Sequence, residues 1–150
     1  MIKIPEDNRQ LDIMIAEHVL GYVTRRIKPS WYKYEVILFF EKDHPLVIYS
    51  FDENSCNAMM YANGVDEKDG TAQALPFYST EIQDAWEVCV AMQGDYYFGT
   101  GLEGLYSYSS EDAAREICVE ALKAVEERKR IAALTPEQLE ENRRINVLGD

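Results

Sequence analysis

Between Arg9 and Val23 apolar side chains return at three- and four-residue steps: Leu11, Met14, Ile15, Val19, Tyr22 and Val23, with Asp12, Glu17 and Arg25 off that line. A period near 3.6 predicts an amphipathic helix with one face turned to a core. Asp7 or Asn8 supplies its N-cap, and Gly21 with the TRRIKPS stretch marks its end. From Trp31 to Glu41 the period drops to two. Tyr32, Tyr34, Val36, Leu38 and Phe40 fall on one side, and Lys33, Glu35, Ile37, Phe39 and Glu41 on the other. Aromatic and β-branched residues in that alternation predict a strand. KDHP then reads as a turn and LVIYSF as a second strand, which together make a hairpin. The first side of the leading strand is apolar throughout; the second becomes so only through Ile37 and Phe39.

Residues 52–77 carry two turn signals, Asn63-Gly64 and Asp69-Gly70, and no convincing period between them. A patternless stretch of that length points to an acidic loop excursion with a weak extra strand near Ala58–Ala62. Order returns with Ile82, Ala85, Trp86, Cys89 and Val90, a second helical stripe in which Trp86 reads as a core anchor. Thr80 with Gln83 has the spacing of a capping box, and Gly94 stands where a helix-ending glycine belongs. Asp95–Phe98 and Leu105–Tyr108 read as two short strands joined by GTGLEG, a turn whose glycines would supply positive φ. A third helix from Ser109 or Ser110 to about Arg130 presents Ala114, Ile117, Cys118, Ala121, Leu122 and Val125. Its acids come early and its ERKR late, as the helix dipole prefers. Thr135-Pro136 with Gln138 opens a short polar helix whose one strong apolar residue is Leu139. The expected fold class is α+β: a short, mainly antiparallel sheet packed with three amphipathic helices as a sandwich, plus a short C-terminal helix. Residues 10–130 form the expected domain and 131–150 an extension.

Composition narrows what such a domain does. The 150 residues carry 27 acids against 15 bases, a net charge of −12. Most of the excess lies in residues 45–118, where only Lys68 and Arg115 stand against thirteen carboxylates. A phosphate-binding groove needs the opposite sign, so direct binding to nucleic acid or to an anionic membrane is not expected. No apolar run approaches membrane-spanning length, and MIKIPEDNRQ lacks the pattern of a secretory signal. Cys56, Cys89 and Cys118 form no metal-ligand or disulfide spacing, which fits a reducing, cytoplasmic setting.

Candidate chemistry is sparse. His18 sits beside the first helical stripe and reads as a half-buried structural residue; His44, before Pro45, reads as solvated. GTGLEG fails both the Walker and the dinucleotide spacings. The acids Asp52-Glu53 and Asp66-Glu67-Lys68-Asp69 do not match a calcium loop. No catalytic set, metal site or cofactor is therefore expected. The candidate binding residues are Trp31, at the edge of the first strand, and Tyr78, Ser79 and Thr80. The last three stand at a helix start where free N–H groups accept an anion, or where a hydroxyl merely caps.

Three stretches taken together carry a family likeness. Leu11-Asp12, Ala16-Glu17 and Val19-Leu20-Gly21-Tyr22 come first. Pro76, Tyr78-Ser79-Thr80, Ile82 and Ala85-Trp86-Glu87-Val88 follow, and then Ala114, Ile117-Cys118 and Ala121-Leu122-Lys123-Ala124. In this order they resemble the phage ABA sandwich domain family over about residues 10–125. The resemblance implies a small α+β sandwich encoded by phages or prophages, acting in a bacterial host cell, with no activity assigned and no catalytic residues to transfer. Three functions then follow as expectations. The first is a non-enzymatic accessory protein that binds a host protein or a small ligand. The others are an acidic mimic of nucleic acid that occupies a host DNA- or RNA-binding protein, and a small nucleotide-directed enzyme. Assembly as a homo-oligomer is an alternative to the first.

Overall fold

The computed structural model describes residues 3–28, 34–44, 47–52, 73–102 and 110–148. Asp7 is the first N-cap, its carboxylate accepting from Arg9 N–H at 3.4 Å. Helix α1, Asn8–Met14, runs straight into a π-helical turn, Ile15–Val19, in which Leu20 N–H donates to Ile15 O at 3.0 Å. The wider turn rotates the helix about its axis. The buried residues of the combined helix are Leu11, Asp12, Ile13, Ile15 and Ala16, while Met14, Val19 and, beyond its end, Tyr22 are only half-buried. Asp12, expected on the polar side, lies inside. Gly21, at φ 77°, ends the helix earlier than the periodicity predicts, and Val23 opens strand β1, Val23–Ile27. The TRRI stretch reads as loop because an edge strand with Arg25 and Arg26 both exposed lacks apolar alternation.

Strands β2 (Val36–Phe40) and β3 (Val47–Asp52) form the expected antiparallel hairpin. β1 pairs antiparallel with β2, and the two-residue strand β4, Gln73–Ala74, adds in parallel to β3, giving the order β1-β2-β3-β4. The ladder between β2 and β3 steps from Phe39↔Tyr49 to Phe40↔Val47, leaving Ile48 as an extra residue. The helices pack on the Ile37 and Phe39 side together with Phe51, which is the side the alternation made the less apolar of the two. Val36 and Leu38 are fully buried on the opposite side with Val47. The central strand is therefore apolar on both faces.

Helix α2 is Ile82–Ala91, α3 is Tyr96–Gly101, α4 is Ser110–Ala132 and α5 is Pro136–Leu148. Helix α4 follows the sequence closely: Ala114, Ile117, Cys118, Ala121 and Leu122 are all buried, and α1, α2 and α3 pack against it. Each fully buried Leu or Ile contributes about 1.5–3 kcal/mol. The architecture is α+β. Two expectations change. Asp95–Phe98 is not a strand: Asp95 accepts from Phe98 N–H at 3.0 Å and starts a helix, while Phe98 buries its ring in the main core. Gly99 and Gly101 lie inside that helix rather than in a positive-φ turn, and Gly101 is pressed against the Glu120 side chain of α4, where a Cβ would collide. The expected strands Ala58–Ala62 and Leu105–Tyr108 lie outside the described residues.

Thr135 and Gln138 cap α5 reciprocally, Thr135 N–H donating to Gln138 Oε1 at 2.8 Å and Gln138 N–H to Thr135 Oγ1 at 3.2 Å.

Candidate functional site

The segment before α2 is tied down by charged hydrogen bonds. Arg9 donates to Asp12 Oδ2 at 2.8 Å, to Pro76 O at 3.0 Å and to Leu75 O at 2.7 Å, with its guanidinium 4.0 Å from the centroid of the Phe77 ring. Ser79 N–H donates to Asp12 Oδ1 at 2.8 Å, and Ser79 Oγ to Asn8 O at 3.0 Å. Burial pushes the Asp12 carboxyl above its ordinary range, opposed by the hydrogen bonds from Ser79 and by Arg9. Arg115 of α4 completes the knot by donating to Asn8 Oδ1 at 2.6 Å and Pro5 O at 2.7 Å.

This geometry decides where the candidate binding residues stand. Tyr78 and Ser79 are fully buried and Thr80 is half-buried, so the first two present nothing to a ligand at the surface. The Thr80–Gln83 capping box does not form. Glu81 is the N-cap of α2 and makes no side-chain cap, and Asp84 instead accepts Phe77 N–H at 2.8 Å. Trp31 lies outside the described residues, as do Cys56 and residues 53–72.

Below α2, Tyr22 and Tyr49 meet edge to face at 5.7 Å. Burial, with Glu87 next, pushes the Tyr49 hydroxyl up to about 12 and Tyr78 far above the usual phenol range. Burial raises Glu87 as well, helped by Asp84. The Tyr78 hydroxyl has no hydrogen-bond partner among the described residues. Burial also pushes the Cys89 and Cys118 thiols up. These phenols and thiols move away from neutrality, the reverse of what an activated nucleophile needs. His18 is exposed rather than half-buried, and His44 is exposed beside Glu41, 3.8 Å away. Among the described residues no group of His, Cys, Asp and Glu is placed to hold a metal ion, and no helix is long and apolar enough to cross a membrane.

The outward face of α2 is the feature that the stripe misassigned. Trp86 is not a core anchor: it is 67% exposed, with Ile82 at 40% and Val90 at 57%. These three follow one another at four-residue steps along a single row. The core takes Ala85, Val88 and Met92 instead. The sequence IQDAWEVCVA is apolar on several sides, so periodicity alone does not choose between rows. The partner chooses. Helix α4 offers a surface rich in alanine, Ala114 and Ala121 among it, which requires close approach; Ala85 and Val88 allow that and an indole does not. Glu81 and Glu87 are exposed beside the row, and the sequence holds no Lys or Arg from residue 69 to 114.

No family model, curated protein or solved structure matches the chain.

Proposed function

We propose that this chain is a non-enzymatic accessory protein, encoded by a phage or prophage and acting in the cytoplasm of a bacterial host cell, that binds a host protein through the outward face of α2. The observation that carries the reading is the exposed row Ile82, Trp86 and Val90. Single exposed apolar residues are ordinary on any protein, whereas a continuous apolar row rimmed by charge is the usual form of a contact surface. Trp is also the residue most often found to dominate binding energy at an interface. The phage setting rests on the resemblance to the phage ABA sandwich domain family.

The test compares tagged wild-type protein with Trp86→Ser, both recovered from bacterial cells with and without phage infection. A host protein held by the wild type and lost from the variant is the expected result. Identical sets of retained proteins would overturn it. Mimicry of nucleic acid is separated by the same comparison, because a decoy acting through carboxylates keeps its target when the indole is removed.

A further inference from the structure

We infer that the partner of the α2 face is a basic amphipathic helix of another protein, with apolar side chains on one side and Lys or Arg flanking them; the inference rests on the reading of α2 as the contact surface. The row from Ile82 to Val90 covers eight helical steps, about 12 Å of axis, enough to seat the anchors at i, i+4 and i+7 of an opposing helix, which span about 10.5 Å. A flat, narrow ridge of this kind matches a helix better than an extended strand, which would need free backbone groups to pair with.

Charge selects among the occupants that fit such a ridge. Glu81 and Glu87 flank the row, and among the described residues neither is paired with a cation. Asp84, two residues from both Ile82 and Trp86, lies on the other side of the helix and is engaged by Phe77 N–H at 2.8 Å, so the rim charge is that of Glu81 and Glu87. The sequence holds no Lys or Arg between residues 69 and 114, and Arg9, which reaches the Phe77 ring, is taken up by Asp12, Leu75 O and Pro76 O. A second copy of this chain would set the same carboxylates opposite one another and bring together two molecules of net charge −12. An anionic lipid surface meets the same repulsion. A cationic helix gains on both counts, apolar contact along the ridge and attraction at its rim.

The experiment measures binding of the full chain to two labelled synthetic helices of about 18 residues that share one Leu/Ile stripe, one flanked by Lys and the other by Glu. The Lys helix is expected to bind and the Glu helix to bind at least about tenfold more weakly. Trp86→Ser should weaken the Lys helix about tenfold or more while unfolding at the same temperature as the wild type. Glu81→Gln combined with Glu87→Gln should weaken it and flatten its salt dependence. Equal binding of the two helices, no binding of either, or a dimer seen by light scattering that Trp86→Ser dissolves would each overturn the inference. If neither helix binds but Trp86→Ser still loses a host protein in cells, the surface stands and only the class of partner falls.

Discussion

Tyr78 buries its entire ring while its hydroxyl goes without a partner among the described residues. A buried hydroxyl left unsatisfied costs free energy, so removing it is cheap or favourable. Tyr78→Phe should leave stability unchanged or raise it by about 1 kcal/mol, read from the midpoint of denaturant unfolding. The sign of the pH dependence follows from the raised phenol. Below pH 10 both folded and unfolded chains keep the proton; above it the unfolded chain releases the proton and the folded one holds it. Stability is thus lost as pH rises beyond 10, and the alkaline limb of the variant should be shallower by one proton. Asp12 shows what a local pattern leaves hidden. A carboxylate off a helical stripe is assigned to water by default, and its burial depends on Ser79, 67 residues away, and on Arg9. Nothing at either position alone announces the pairing.

At the scale of elements, legibility tracked how much each segment depends on its neighbours. Helix α4 was readable because its stripe, its early acids and its late bases agree. The β2–β3 hairpin was readable because alternation and the intervening turn agree. Helix α3 was not, since Asp-Tyr-Tyr-Phe has strand-like composition and its helical start depends on the Asp95 carboxylate reaching Phe98 N–H. The outward row of α2, the core of the candidate site, was visible as apolar positions but not as surface, because the alanines of α4 decide which row goes inside. The end of α1 depends on one residue. Gly21 holds φ 77° with open space around its Cα, so a side chain there meets no clash and only backbone strain. Gly21→Ala should cost about 1 kcal/mol, measured by thermal unfolding, with β1 still formed.

For the molecule as a whole, the main core joins α1 through α4 to one side of the sheet, and among the described side chains none of its residues comes from α5. Leu139, the first strong apolar residue of that helix, is 36% exposed. A chain ending at Leu134 should therefore melt within about 2 °C of the full chain, checked by calorimetry. A larger drop would mean that α5 docks on the domain. The sheet holds a subtler dependence. Because Val36, Ile37, Leu38 and Phe39 are greasy in unbroken succession, threading the middle strand inside out would still bury oil on both sides, and hydrophobicity raises no objection to it. The guard against that error is the supernumerary Ile48 on the neighbouring strand, so excising this single residue is the edit that would leave the chain two ways to close.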